Sequence, residues 1–241
     1  MNLVIDIGNT RSKWAVFHNN KMLKFESSKK FSSNFVKKIK LEYPELKNVC
    51  LSDNTNLNFD YKTIFSTFNL NYIELNSQCK LPLTISYSTP FSLGSDRIAL
   101  SVAAEKFFKG NMLIIDLGTC ITYDVVLNSN YIGGQISPGL QMRLASLNHY
   151  TDKLPKLDYI NRDISVGHST RDSILVGVYD SIFFEIESVV NKYKKLYPTI
   201  VTIATGGDMN IIEKKIKNIN FFHPYLLMEG LNSIIAFNEE V

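Results

Sequence analysis

Residues 3–17 read LVIDIGNTRSKWAVF, and residues 113–127 read LIIDLGTCITYDVVL. In each, an apolar, β-branched run meets a carboxylate, turns through a glycine with an amide or hydroxyl neighbour, and resumes as a second apolar run. This pattern predicts two β-strands joined by a tight turn, with an aspartate at the end of the first strand. Asp6 and Asp116 are separated by close to half of the 241-residue chain. A duplication is the simplest explanation, and it predicts two similar α/β lobes, residues 1–109 and 110–241, facing each other.

The surrounding sequence agrees with that reading. Asp96 to Lys109 (DRIALSVAAEKFFK) is rich in helix formers and immediately precedes the second copy. From Ser169 to Lys195, apolar residues at Ile174, Val178, Ile182, Ile186, Val189 and Tyr193 recur every three or four positions, as a long packed helix requires. Ile200 to Ala204 is a short β-branched run that turns at Thr205-Gly206-Gly207-Asp208, and Asn210 to Lys217 and Leu226 to Phe237 read as helices.

Composition narrows the class. Apolar residues make up 45% of the chain, with 15 Phe and 12 Tyr, which excludes disorder and supports a sizeable core. Against 23 acidic residues stand 26 basic ones, and a net charge of +3 is too weak an imbalance to argue for nucleic acid. No apolar run approaches the roughly 18 residues that a membrane span needs. The N-terminus meets Asp6 too soon for a signal peptide, so a cytoplasmic protein is expected. Cys50, Cys79 and Cys120 are odd in number and widely spaced. His18, His149, His168 and His223 show no metal-ligand pattern, so neither a disulfide framework nor a zinc site is expected. Eight lysines fall between Lys21 and Lys47, interrupted by Glu26, Glu42 and Glu45, which reads as a strand plus a solvated helix face.

The chemistry concentrates in a few short segments. An aspartate at a strand end, followed by glycine and by amide or hydroxyl side chains, suits a polyphosphate bound with a metal ion. The carboxylate holds Mg²⁺ or its waters, and the turn lets backbone N–H groups approach phosphate oxygens. Asp6-Ile7-Gly8-Asn9-Thr10 has this form, with Arg11 and Lys13 adding positive charge, and Asp116-Leu117-Gly118-Thr119 repeats it. Thr122 and Asp124 follow on the next strand, where a structural role is the commoner one. Gly94-Ser95-Asp96-Arg97 opens a helix. Ser95 or Asp96 would serve there as an N-cap, or Asp96 would be held ionised by its neighbours and accept a proton from a substrate hydroxyl. Gly133-Gly134-Gln135-Ile136-Ser137-Pro138-Gly139 reads as a glycine-rich turn ahead of a helix, and it and the Thr205–Asp208 turn are either ligand loops or simple chain reversals.

Taken in order, these segments (DIGNT at Asp6, YSTPFSLGSDR from Tyr87 to Arg97, DLGTCITYD at Asp116, GGQISPGL at Gly133, GHST at Gly167 and TGGD at Thr205) resemble the type III pantothenate kinases over nearly the whole chain. That family belongs to the superfamily of acetate and sugar kinases, actin and the heat-shock ATPases. The resemblance implies an actin-like ATPase fold of two duplicated ribonuclease H-like lobes with a nucleotide cleft between them. It implies that Asp6, Ile7, Gly8, Asn9, Thr10, Arg11, Ser12 and Lys13 form the first ATP-phosphate loop, with Asp6 near Mg²⁺, and that Thr119 contacts ATP from the second. It further implies a monovalent cation, K⁺ or NH₄⁺, at Asp116, with Asp96 as general base. Tyr87, Gly94, Ser95, Asp96, Arg97 and Thr170 would hold pantothenate, Thr170 across a homodimer interface. Ser95 and Cys120 stand where alanine is usual, a change expected to carry little mechanistic weight.

The expected activity is ATP-dependent phosphorylation of pantothenate to 4′-phosphopantothenate, the first step towards coenzyme A, with neither nucleic acid nor membrane as partner. A kinase of another small hydroxylated metabolite would share the phosphate turns. A nucleotide-binding transcriptional accessory factor would rest on the lysine-rich segment alone and would predict salt-sensitive DNA binding.

Overall fold

A computed structural model describes residues 1–28, 33–55, 59–160, 165–213 and 215–239. Strands β1 (Asn2–Ile7), β2 (Ser12–His18) and β3 (Lys21–Ser28) lead into helix α1 (Ser33–Glu42), strand β4 (Asn48–Asp53), helix α2 (Tyr61–Thr67) and strand β5 (Asn71–Glu74). A short strand β6 (Thr84–Ile85) and a 3₁₀ turn at Pro90–Ser92 precede helix α3 (Ser95–Phe107). Then follow β7 (Met112–Leu117), β8 (Cys120–Leu127), β9 (Asn130–Pro138), α4 (Leu140–His149), α5 (Thr170–Leu196), β10 (Val201–Thr205), α6 (Met209–Glu213), β11 (Phe221–Phe222) and α7 (Leu226–Glu239).

The duplication is visible in strand order. One sheet runs β3-β2-β1-β4-β5, and the other runs β11-β10-β7-β8-β9-β6. Read from the other edge and without β6, the second order is the first repeated, with β7, β8, β9, β10 and β11 in the places of β1 to β5. Even the hairpins correspond. The β2–β3 turn places Asn19 at φ 53°, and the β8–β9 turn places Asn128 and Ser129 at 48° and 60°. That left-handed region suits the two-residue turns that match strand twist.

The chain divides into one compact unit of Met1–Gly110, Val126–Gly133 and Tyr225–Val241, and another of Asn111–Val125 and Gly134–Pro224. The compact units are therefore not two uninterrupted halves. In the first, Leu3, Ile5 and Ile7 on β1 pack with Trp14, Val16, Val49 and Leu51 against Val36 and Ile39 of α1 and Tyr61 and Phe65 of α2. Trp14 meets Phe35 edge-on, with ring centroids 5.0 Å apart. Helices α3 and α7 pack together, and α7 lies on β1 and β4. Their approach is close because Gly230 sits on the Ala99 carbonyl, where any Cβ would collide. In the second unit α4 packs on α5, whose Ile174, Val178, Ile182, Ile186 and Val189 are all buried as their spacing predicts.

Two local expectations are corrected. Residues 133–138 are not a turn but the second half of β9, since the reversal is already made at Asn128-Ser129 and β9 is hydrogen-bonded between β8 and β6. Helix α6 ends at Glu213, short of Lys217. The lysine-rich segment is β3 and α1, with residues 29–32 outside the described residues. There Lys24 Nζ donates to Glu42 at 2.9 Å and Lys40 Nζ to the Leu46 carbonyl at 2.6 Å. Among the described residues, no helix is long and apolar enough to cross a membrane, and Cys50, Cys79 and Cys120 form no disulfide.

Candidate active site

Side-chain alternation along β1 decides where Asp6 points. Leu3, Ile5 and Ile7 fill the α1/α2 face, which leaves Asn2, Val4 and Asp6 for the other. Asn2 Nδ2 accordingly donates to Asn232 Oδ1 of α7 at 3.0 Å. Asp6 is 5% exposed, and its neighbours in register are Lys13 on β2 and Ser52 on β4. The Ser52 hydroxyl donates to Asp6 Oδ1 at 2.9 Å and lies 2.9 Å from the Ser95 hydroxyl. Between β1 and β2 the Gly8 N–H donates to the Arg11 carbonyl at 3.1 Å. That bond closes the turn with Asn9, Thr10 and Arg11 exposed at its tip and Ser12 buried behind it.

Asp96 is the second residue of α3. Neither it nor Ser95 is the N-cap: that position is Gly94, which offers no side chain. The cap comes instead from the end of β4. Asn54 Oδ1 accepts from the Ser95 N–H at 3.1 Å and lies 3.3 Å from the Ser95 hydroxyl. A Cβ on Gly94 would stand 2.5 Å from Asp96 Oδ1 and 3.2 Å from Asn54 Oδ1, so only glycine leaves the carboxylate its place. Asp96 Oδ1 accepts from the Arg97 N–H at 2.8 Å. Burial pushes the Asp96 carboxyl above the usual carboxylate range, and the Arg97 N–H, the Arg97 charge and the Lys13 charge only partly offset it. A carboxylate so placed is a stronger base than a solvated one.

Arg97 is 5% exposed, and its guanidinium lies 5.9 Å from the centre of the Tyr131 ring. Tyr131 meets Tyr87 edge-on at 5.9 Å. The Tyr87 ring lies over Gly133, where a Cβ would touch it at 3.6 Å. Arg97 and Tyr87 are thus joined through Tyr131, which no motif singled out; its only trace in the sequence is its place just ahead of Gly133-Gly134.

The second unit repeats the strand-end aspartate in different surroundings. Asp116 on β7 pairs in register with Thr205 on β10. The Gly118 N–H donates to the Cys120 carbonyl at 3.0 Å, closing a turn with Thr119 exposed. The Gly139 N–H donates to the Thr119 carbonyl at 3.1 Å, and the Asp208 N–H to the Leu117 carbonyl at 3.0 Å. Gly206, at φ 101°, lies directly against Asp116 and Leu117, where any Cβ would collide with Asp116 Oδ1 and the Leu117 carbonyl. Asp124 is fully buried and accepts from the Thr122 hydroxyl at 3.2 Å, a structural pairing. Burial also holds Asp208 above the ordinary carboxylate range. Thr170, the first residue of α5, is exposed and lines a groove with Arg143, Leu154, Ser173 and Ile174.

Among the described residues no group of three or more His, Cys, Asp or Glu side chains is placed to cage a metal ion. Beside Gly206, Asp116 Oδ1 and the Leu117 carbonyl oxygen converge, and oxygens of that kind fit a cation ligand set. The first unit therefore brings together Asp6, Lys13, Ser95 and Asp96, and Tyr87 with Arg97. The second brings Asp116 and Thr119 against Gly139 and Gly206, with Thr170 at the start of α5.

Residues 2–192 match the family model for type III pantothenate kinase. A type III pantothenate kinase of Christiangramia forsetii is 40% identical over 243 aligned positions, covering 99% of both chains. Among solved structures, a protein described as a putative Baf family transcriptional activator from Campylobacter jejuni superposes with a TM-score of 0.64 at 21% identity, over 99% of this chain and 100% of that one. A putative sugar kinase from Cytophaga hutchinsonii gives 0.55 at 14%, over 98% and 99%. The structural likenesses show the fold, that of the actin-like ATPases and sugar kinases with its duplicated α/β lobes. From the full-length sequence identity and the family model, the chain belongs to the type III pantothenate kinase family.

Proposed function

We propose that this protein transfers the γ-phosphoryl group of ATP to the primary hydroxyl of pantothenate, with Asp96 as the general base. One new oxygen–phosphorus bond forms at the pantothenate hydroxyl as the bond between the γ-phosphorus and the bridging oxygen breaks. The hydroxyl proton passes to the Asp96 carboxylate, and 4′-phosphopantothenate and ADP leave. The observation that carries this reading is the buried carboxylate of Asp96 at the N-terminus of α3, one residue from a serine hydrogen-bonded towards Asp6. Phosphoryl transfer asks the protein chiefly for positioning and charge stabilisation.

Asp6 through Lys13 (Ile7, Gly8, Asn9, Thr10, Arg11 and Ser12 among them) hold the ATP phosphates through turn N–H groups and the Lys13 charge, and Thr119 contributes from the second turn. Asp6, directly or through water, and the phosphates hold Mg²⁺, which neutralises charge on the phosphates when bound. Asp116 holds K⁺ or NH₄⁺. Tyr87 and Gly94 through Arg97 hold pantothenate, with Arg97 anchoring its oxygens, and Thr170 completes the pocket across a homodimer. The halves 1–109 and 110–241 are the units of ancestry. The enzyme works in the cytoplasm, without nucleic acid or membrane.

A coupled assay with ATP and pantothenate, run in KCl and in NaCl beside a panel of sugar and carboxylate acceptors, tests the assignment. Pantothenate should be preferred and KCl should activate; preference for another acceptor overturns it, and salt-sensitive DNA binding without turnover would favour a regulator. Asp96→Asn should lose about 10²- to 10⁴-fold in kcat while still binding nucleotide, and undiminished turnover removes Asp96 from the mechanism.

A further inference from the structure

Two buried hydroxyls, Ser52 and Ser95, link the carboxylate of Asp6 to the first turn of α3, which carries Asp96. Ser52, on β4, is fully buried; Ser95, on α3, is 6% exposed; Asp6, on β1, is 5% exposed. A serine hydroxyl carries a single proton. Ser52 gives its proton to Asp6 Oδ1 at 2.9 Å, so the one proton of the Ser95 hydroxyl serves either the Ser52 oxygen at 2.9 Å or Asn54 Oδ1 at 3.3 Å. The Ser95 N–H, the first of α3, is held at 3.1 Å by Asn54 Oδ1, and the Asn54 N–H donates to the Ile7 carbonyl at 3.1 Å. Each end is therefore tied twice. Side chains run from Asp6 through Ser52 to Ser95, and a second path runs from the Ile7 carbonyl through the Asn54 N–H and the Asn54 side-chain oxygen to the Ser95 N–H. In a low-dielectric interior such chains polarise one another, and breaking one link is felt along the rest.

We propose that Ser52, Asn54 and Ser95 form a positioning relay that locks the first turn of α3, and with it Asp96, to the strand end bearing Asp6, so that the phosphate turn and the base act as one unit. The proposal rests on the assignment of Asp6 and Asp96 made above. It gives Ser95 a role in nucleotide handling beside its place in the Gly94–Arg97 substrate segment. Ser52 and Asn54 are positioning residues and touch no substrate.

Ser95→Ala tests this directly, because it removes only the link and introduces a smaller side chain. The relay predicts a rise of about tenfold in KM for ATP, in addition to any change that the loss of Ser95 from the pantothenate segment makes in KM for pantothenate. Ser52→Ala should give a similar rise in KM for ATP and also lower kcat, and the double variant should be no worse than Ser52→Ala alone, since both cut one chain. The opposite split, with only KM for pantothenate moved, or strictly multiplicative effects in the double variant, overturns the relay. MgADP affinity, measured calorimetrically without pantothenate, gives a readout independent of turnover. A Ser95→Ala protein that binds MgADP as tightly as the parent sinks the proposal even if Asp96→Asn is inactive. An active Asp96→Asn protein sinks the base assignment and leaves the nucleotide arm standing. Should Ser52→Ala fail to fold, Asn54→Ser carries the same prediction for KM of ATP, and its failure to move that constant counts against the relay.

Discussion

Gly139 rests on the backbone of Thr119. Its N–H donates to the Thr119 carbonyl at 3.1 Å, and a Cβ at Gly139 would stand 2.5 Å from that same oxygen and 2.5 Å from the Gly118 carbonyl. The end of β9 therefore shapes the Gly118–Thr119 turn from behind. Arg143 holds that end in place: its Nε donates to the Pro138 carbonyl at 2.8 Å, and its guanidinium pairs with Glu185 of α5.

Gly139→Ala forces one of two backbones to move, because neither obstacle is a flexible side chain. Relief by shifting the turn costs about 1–3 kcal/mol of stability and displaces Thr119. The expected result is a lowered unfolding midpoint together with a raised KM for ATP, measured by thermal denaturation and steady-state kinetics. An unchanged KM for ATP would mean that this contact does not shape the nucleotide site.

Asp96 ties activity and stability to pH in opposite directions. Its carboxyl sits above the usual carboxylate range because burial penalises the charged form. The folded state thus binds its proton more tightly than the unfolded chain does. Keeping Asp96 ionised costs stability fully above the folded pKa, and that cost disappears as pH falls below the unfolded value. A base must be ionised, so kcat/KM should fall on the acid side at a pH above the ordinary carboxylate range. Asp96→Asn should raise the unfolding midpoint at pH 7 while abolishing turnover. A lowered midpoint would contradict the burial account.

Much of this arrangement was legible because a carboxylate inside an apolar run is conspicuous. The strands of both hairpins, the long helix α5 and the strand-to-turn signal at Thr205 follow from local pattern alone. The parts that were not legible depend on register between distant strands. Ser52 matters because β4 pairs parallel to β1 with Ser52 opposite Asp6, and nothing in NVCLSD announces that partner. Asn54 caps α3 from another element, so a search for a local N-cap at Ser95 or Asp96 found the right helix and the wrong capping group. The Gly133–Gly139 segment showed its glycines but not its neighbours. Their place in β9, beside β8, outweighed the turn propensity of Gly133-Gly134, and the Tyr87 ring lies over Gly133. Residues 225–241 belong to the first compact unit through a contact of small groups, Gly230 on Ala99, which leaves no periodic trace.

Arg97 and Tyr131 should not tolerate conservative replacement. The guanidinium is buried against the ring, and a lysine there would bring a compact, strongly hydrated charge in place of a planar, weakly hydrated one. Arg97→Lys should lose about 1–2 kcal/mol of stability with the ring contact and raise KM for pantothenate several-fold, leaving KM for ATP near its parental value. Tyr131→Leu should shift KM for pantothenate in the same direction, since it frees both Arg97 and Tyr87. If Tyr131→Leu leaves pantothenate kinetics untouched, the cluster is structural only.

Gly206 offers the sharpest test of the cation assignment. At φ 101° any other residue is strained, and its Cβ would collide with Asp116 Oδ1 and the Leu117 carbonyl. Strain of this kind costs about 1–3 kcal/mol, so Gly206→Ala should melt earlier than the parent. Strain alone would lower activity equally in every salt. Displacing Asp116 Oδ1 should instead blunt activation by KCl, raising the half-saturating KCl concentration while the rate in NaCl stays close to that of the parent. Titrating KCl at fixed ionic strength separates the two. If the variant loses activity in the same proportion in KCl and in NaCl, the contact of Gly206 with Asp116 is a packing feature and the monovalent ion binds elsewhere.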